Sequence, residues 1–445
     1  MCGLVYQRRN RSVAVSKAKY WKSFGVLFSA IVIISLLVGC GSASPSASSP
    51  QSAQPSASAK ASQASKPVES AKPSTSAAPA AKEPLKIGAI LTTSGPIGPT
   101  GSKQLDGVQV AVDEINAAGG ILGRQVQLVL RDDAGDPTKA LTAAQELVEK
   151  NGVSVIIGAT LGGTSGAIMP YLTEQKVVLI GTGSSAPNDP KKYPYTFLGT
   201  QVPSQQAAAL VRYAVDVMKV RKLGVIGDAS AYGKMTVGDF KKELDAKGLQ
   251  PLAVEEYPQG APDLSVQVNN LKKAGVEAVL GATLGTDTAR ILKTMQSVGL
   301  QVPYISSVDS TSPAVIDGAG ADAIKLAYAY SLRRISFSDK TPLPAKTAEF
   351  AAKLAKKLNQ SSLRESMYYA SRHYDLVYMI KQSIEKAQSA EGSKVAAQLE
   401  QMSFDGVQAR YVFTKEDRGG VSFDEVVMVK LTNMKDGAFE TAPGY

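Results

Sequence analysis

Histidine and cysteine are nearly missing: the 445 residues hold one His and two Cys. His373 falls inside an amphipathic helical stretch over 368–387, where it reads as a structural or surface residue and not as a base. No His/Cys cluster has the spacing of zinc ligands. Cys2 lies within a removable N-terminal segment and Cys40 sits at its cut, where a lipid takes its sulfur, so no thiol is left for Cys/His catalysis and none for a disulfide. No Gly-rich loop ends in Gly-Lys-Ser/Thr, which excludes a P-loop. The one dinucleotide-like match, Gly181-Thr-Gly183-Ser-Ser-Ala186, runs into Pro187-Asn-Asp-Pro190, a turn where the fingerprint should open a helix. Without a nucleophile–base pair the chain is not expected to be an enzyme, and neither a cofactor nor a metal is expected.

A usable charge excess is missing too. The 49 Lys and Arg against 39 Asp and Glu give +10. Six of the basic residues (Arg8, Arg9, Arg11, Lys17, Lys19, Lys22) lie ahead of residue 40 without an acidic partner, which leaves 43 against 39, or +4, after it. Setting aside 41–84, with four Lys and two Glu, leaves 39 against 37, or +2. That balance makes no electrostatic case for nucleic acid.

What is present begins at the N-terminus. The basic segment is followed by an apolar run over 24–38, then Gly39 and Cys40. This is the order of a secretory signal with a small-residue cut, and Leu37-Val-Gly-Cys40 resembles the bacterial lipoprotein box. Fifteen helical residues would span only ~22 Å, short of the roughly 30 Å hydrocarbon core that a transmembrane anchor must cross. The expectation is a signal peptide at 1–39 and a lipid on Cys40, with the mature chain outside the cytoplasm and tied to the membrane.

Residues 41–84 are almost all Ser, Ala, Pro, Gln and Lys, with Val68 the one large apolar residue. Such a stretch cannot offset its ordering entropy by burial and is expected to stay disordered, a tether of ~40 Å mean reach. A wall-spanning or glycosylated stalk has the same composition.

From Leu85 onward short apolar runs alternate with amphipathic stretches. Strands are expected near 85–91, 126–130, 154–157 and 177–180, with helices over 104–118, 138–150 and 165–175. The alternation resumes with helices over 204–218, 234–246, 264–273 and 286–297 and strands near 223–226, 252–256, 278–281 and 304–306. Two such blocks predict α/β architecture with two doubly wound parallel-sheet lobes. About 360 residues also exceed one ordinary core. A mainly helical block over 345–402 and late strands near 411–413 and 425–431 would finish both lobes.

In doubly wound sheets ligands bind beyond the carboxyl ends of the strands. Those ends read Gly158-Ala-Thr-Leu-Gly-Gly-Thr-Ser165, Gly181-Thr-Gly-Ser-Ser185, Gly227-Asp-Ala-Ser-Ala-Tyr232, Gly281-Ala-Thr-Leu-Gly-Thr286 and Ser306-Ser-Val-Asp309. They offer backbone N–H groups and hydroxyls suited to a carboxylate, although Ser and Thr there also serve as helix caps. Ser312, before Pro313, reads as a cap.

Several stretches together resemble the leucine/isoleucine/valine-binding protein family, the extracytoplasmic solute-binding proteins of ABC importers. They are Ser94-Gly-Pro96, Gly107, Asp113-Glu-Ile-Asn-Ala-Ala-Gly-Gly-Ile121, Asp132-Asp-Ala-Gly-Asp-Pro137, Gln296-Ser-Val-Gly-Leu300 and Tyr374-Asp-Leu-Val-Tyr-Met-Ile380 with Ile384-Glu-Lys-Ala387. The resemblance covers about 85–429. It implies a type I periplasmic-binding-protein fold whose lobes, 85–201 plus 332–417 and 202–331 plus 418–445, are joined by three crossings near 201–203, 330–332 and 418–420.

The resemblance also implies a site. Gly183 and Ser185 match one loop that holds a ligand carboxylate. Gly162 stands where the other loop usually has Ser, followed by Gly163 and Thr164, so the hydroxyl is lost unless Thr160 or Thr164 replaces it. Tyr232 matches the cleft tyrosine and Asp309 the acidic partner of a ligand ammonium. Thr100 and Leu284 stand where aromatics are frequent, which implies a roomier pocket. The disulfide of some members maps onto Gly135 and Leu161. The implied partners are a small-molecule ligand (an amino acid or small carboxylate), ABC permease subunits and the membrane through Cys40, with the protein a monomer. A ligand sensor docking on a membrane receptor or kinase would have the same fold.

Overall fold

The run Leu85-Lys-Ile-Gly-Ala-Ile-Leu91 forms a strand buried at every position except Lys86, as expected for a parallel strand covered on both faces. The computed structural model describes residues 82–445; the expected signal segment, Cys40 and nearly all of the expected tether lie outside these residues.

The first block runs β1 (Leu85–Leu91), α1 (Gly98–Ala117), β2 (Val126–Asp132), α2 (Pro137–Gln145), β3 (Val155–Gly158), α3 (Gly162–Glu174), β4 (Val178–Ile180) and β5 (Thr196–Phe197). Its five strands form one parallel sheet in the order β2-β1-β3-β4-β5. Side chains alternate across it. Ile87, Ala89 and Leu91 join one core cluster and Ile90 the cluster of Ala140, Ile168 and Leu172 on the opposite face.

The second block runs α4 (Pro203–Arg212), β6 (Leu223–Asp228), α5 (Ala231–Asp245), β7 (Ala253–Tyr257), α6 (Ser265–Ala274), β8 (Ala278–Ala282), α7 (Thr286–Ser297), β9 (Tyr304–Ser306), α8 (Pro313–Ala319), β10 (Ala327–Leu332) and β11 (Ser336–Phe337). The chain then forms α9 (Ala345–Lys357), α10 (Tyr368–Ala387) and α11 (Gly392–Leu399), a small hairpin of β12 (Ser403–Asp405) and β13 (Arg410–Val412), and finally β14 (Val426–Lys435) and β15 (Ala438–Thr441). The larger sheet has the order β11-β15-β14-β10-β9-β8-β6-β7. Its parallel part, β7-β6-β8-β9-β10, repeats the winding of the first sheet; β14 then pairs antiparallel with β10. Leu332 pairs with Val426, and β11 adds an edge strand beside β15. The larger sheet therefore takes in residues beyond 331.

α1 packs chiefly on α10. Gly107 makes that approach possible, because a Cβ there would run into the Ala370 carbonyl. α1 also starts six residues before the expected 104. Gly98-Pro-Thr-Gly101 looks like a turn, yet Pro99 sits in the first helical turn, where its missing N–H leaves nothing unpaired. Gly101 is needed because a side chain would strike the Thr92 backbone. α3 similarly begins at Gly162 and not at Ser165. The expected helices over 138–150 and 204–218 do run that far, but each ends in one wide π-type turn, at Glu146–Lys150 and Tyr213–Val217. Ser312 occupies the cap position of α8, but its side chain makes no capping bond.

The motif Asp132-Asp-Ala-Gly-Asp-Pro137 is architectural. Asp132 accepts the N–H groups of Thr93 and Ala134, both at 2.9 Å. Asp133 accepts the Thr92 hydroxyl at 2.6 Å and the Gly135 N–H at 2.9 Å. Asp136 caps α2 through the N–H groups of Thr138 and Lys139. Three short carboxylates thus fix the loops after β1 and β2.

Candidate functional site

A sheet wound in this order has a switch point between the strands from which connections leave in opposite directions, β1 and β3 in the first sheet and β6 and β8 in the second. Both switch points open on one cavity of about 510 Å³, whose wall includes Thr92, Thr160 and Leu161 from one side and Ser230, Leu284 and Gly285 from the other. The volume lies in the ordinary range for small-molecule sites. At the lip the Ile97 side chain comes within 4.0 Å of where a Gly285 Cβ would stand.

On the first sheet's side, buried hydroxyls knit the loops together. Thr92 N–H donates to Thr160 Oγ1 at 2.9 Å, and the Thr160 hydroxyl donates to Gln104 Oε1 at 2.6 Å. The Thr164 hydroxyl donates to the Leu161 carbonyl at 3.0 Å. Both protons that could stand in for a serine at 162 are therefore committed to the protein. The amino end of α3 remains: the N–H groups of Gly162, Gly163 and Thr164 have no carbonyl to meet within the helix, and a helix N-terminus favours an anion.

The two loops that carry Gly162 and Gly183 press backbone to backbone. A Cβ on Gly162 would run into the Ser185 hydroxyl and approach the Ser185 carbonyl carbon to 2.6 Å. A Cβ on Gly183 would lie 2.6 Å from the Leu161 carbonyl carbon. The Ser185 hydroxyl thus fills the space that a side chain at 162 would take. Gly135 and Leu161 are also neighbours, with Leu161 Cδ1 3.4 Å from a Cβ position on Gly135.

On the second sheet's side, Ser230 caps α5 by accepting the Gly233 N–H at 3.0 Å and so fixes the turn that carries Tyr232. The Tyr232 hydroxyl donates to Gln206 Oε1 at 3.4 Å. Asp309 lies in a 3₁₀ turn after β9 and is buried. Its Oδ2 accepts the Gly285 N–H and its Oδ1 the Tyr369 hydroxyl at 3.4 Å. Burial raises its pKa; the Gly285 N–H, the Tyr369 hydroxyl and the nearby Lys103 charge oppose this without cancelling it.

The third wall is the start of α10. Tyr368, Tyr369 and Arg372 line the cavity together with Tyr330. Tyr368 meets Tyr330 and Tyr369 edge-on, at 6.3 Å and 5.3 Å between ring centroids. His373, next along the helix, is fully buried. Its Nδ1 lies 2.9 Å from the Tyr369 carbonyl, and burial pushes its pKa down to about 3, so the ring is neutral.

The cavity wall includes all nine positions carried over from the resemblance: Thr100, Gly162, Gly163, Thr164, Gly183, Ser185, Tyr232, Leu284 and Asp309. Sequence reasoning missed Gln104, Tyr330, Tyr368, Tyr369 and Arg372. The last three were visible in principle. Residues 368, 369 and 372 fall on one helical face, and a charged residue on the apolar face of α10 is out of place unless it has work there.

The family model described as "Periplasmic binding protein" matches residues 84–435. The chain belongs to the periplasmic binding protein family. Within it, the chain resembles the Leu/Ile/Val-binding protein BraC3 of Rhizobium johnstonii, 29% identical over 70% of this chain and 82% of that protein. The leucine-, isoleucine-, valine-, threonine- and alanine-binding protein of Pseudomonas aeruginosa is 25% identical over 73% of this chain and 84% of its own length. Among solved structures, the LivJ substrate-binding protein of Streptococcus pneumoniae in complex with isoleucine superposes with a TM-score of 0.70 at 24% identity, covering 81% of this chain and 99% of that one. The fold is the type I periplasmic-binding-protein fold, two doubly wound lobes joined by a hinge. The family is one of transport-linked solute-binding proteins that work outside the cytoplasm, and it is not an enzyme family.

Proposed function

We propose that this protein captures an amino acid or a related small carboxylate in the cavity between its lobes and delivers it to an ABC importer. The observation that carries this reading is the polarity of the cavity: the amino end of α3 and Ser185 on one side, the buried Asp309 carboxylate on the other. A carboxylate fits the first and an ammonium the second. Gly162, Gly163, Thr164, Gly183 and Ser185 would hold the carboxylate through backbone N–H groups and one hydroxyl. Asp309 would take the ammonium and Tyr232 would close over it, while Thr100 and Leu284 leave room for a larger side chain. A ligand that touches both lobes favours the closed form by its differential affinity for it. The lobes, 85–201 plus 332–417 and 202–331 plus 418–445, would bend at the three passages between the sheets. The names of the relatives support the amino-acid class. Lipidation at Cys40, with 41–84 as a tether, would hold the protein at the membrane as a monomer beside its permease.

Calorimetry with a panel of amino acids, amino-acid amides and aromatic carboxylates tests this, paired with solution scattering with and without the best binder. The expected result is one-to-one binding together with a smaller radius of gyration. No binding across the panel refutes the reading.

A further inference from the structure

Three charged side chains line the cavity: Asp287, Asp309 and Arg372. Asp287 is neutralised by Arg290 beside it. Arg372 is only 4% exposed, and no carboxylate pairs with it among the described residues. Its Nε donates to the Gly199 carbonyl at 3.0 Å and its Nη2 to the carbonyls of Thr182, at 2.7 Å, and Leu198. Among the described residues Nη1 has no acceptor, and the Arg372 side chain lines the cavity. The other deeply buried arginine, Arg418, differs: Glu400 meets it at 2.7 Å and the Phe197 ring lies 4.4 Å away. A buried guanidinium held only by carbonyl dipoles is left without a counter-charge. It also stands on the anion-favouring wall, since Thr182, whose carbonyl it grips, adjoins Gly183, which packs on Gly162.

We propose that Arg372 is the charge-reading residue of the ligand site: its free Nη1 edge meets the ligand carboxylate, so the protein takes carboxylates and rejects their neutral amides. The backbone N–H groups at the start of α3 and the Ser185 hydroxyl bind a neutral carbonyl oxygen as well as a carboxylate oxygen; a formal positive charge separates the two. This deepens the capture reading above and rests on it.

The test measures matched pairs, leucine with leucinamide and benzoate with benzamide, by calorimetry on the intact protein and on the Arg372→Met and Arg372→Lys variants. The intact protein should bind the acid of its preferred pair at least about thirtyfold tighter than the amide. Arg372→Met should lose roughly thirty- to a hundredfold on the acid and under about threefold on the amide, and Arg372→Lys should recover part of the preference. Equal loss on acid and amide in Arg372→Met would reduce Arg372 to a clamp on the 182–199 loops and overturn the proposal. So would an intact protein that binds both members of a pair equally, a result that does not depend on the variants folding and leaves the capture reading standing. No binding to either member of any pair would instead strike the capture reading, and this proposal with it.

Discussion

Replacing Asp309 by asparagine should weaken an amino-acid ligand while strengthening the fold of the empty protein. The carboxylate is buried, accepts one N–H from Gly285 and one distant hydroxyl from Tyr369, and among the described residues forms no ion pair. Its folded pKa stands above the ordinary value of 3.8 because burial disfavours the charge. The folded protein therefore holds the proton more tightly than the unfolded chain does, and above the raised pKa the ionised group works against folding. Asparagine keeps an acceptor for Gly285 and removes that penalty, so the melting temperature at pH 7 should rise. The difference should shrink as the pH falls through the raised pKa toward 3.8. A ligand ammonium offsets the same penalty in the wild type, and losing it should weaken binding by about 2–3 kcal/mol, roughly thirty- to 150-fold. Calorimetry and a melting series from pH 4 to pH 8 read both effects. An unchanged affinity for zwitterionic ligands would place the ammonium elsewhere. A variant destabilised at pH 7 would mean that Asp309 supports the fold and does not wait for a ligand.

Gly162→Ser adds a side chain whose Cβ has no room beside Ser185. It should lower stability by about 1–3 kcal/mol and weaken the ligand, and an unchanged denaturant midpoint would contradict the packing argument. His373 is held neutral, with a folded pKa of about 3 against 6.5 for a free ring. Its share of stability is present above 6.5 and lost as the pH falls toward 3, so His373→Gln should flatten the decline of the urea midpoint across that window.

The alternation of elements was readable because strand and helix periods differ and each block repeats the same winding. The places where reading failed are those where glycine and proline serve close packing instead of a turn. In Gly98-Pro-Thr-Gly101, which opens a helix, Gly98 lies against the Thr93 backbone and Gly101 against that of Thr92. The amino end of α3 starts at Gly162 for a similar reason. The site loops were legible from their Gly, Ser and Thr content, and the resemblance named positions within them. The wall contributed by α10 was not, because nothing local tells Tyr369 that it will stand across from Asp309, sixty residues away in sequence. Likewise Ser185 comes to fill the space beside Gly162 through contact between two loops, which no single stretch records.

β14 is the last long strand in the chain, yet it lies inside the larger sheet, between β10 and β15. At ~5–20 residues per second, synthesis of the roughly ninety residues that separate the paired ends Leu332 and Val426 takes on the order of 5–20 s. During that interval β10 presents a bare, apolar border to its surroundings, the kind of border that pairs with the wrong chain. Whatever shepherds the nascent polypeptide must shield that border until its partner emerges.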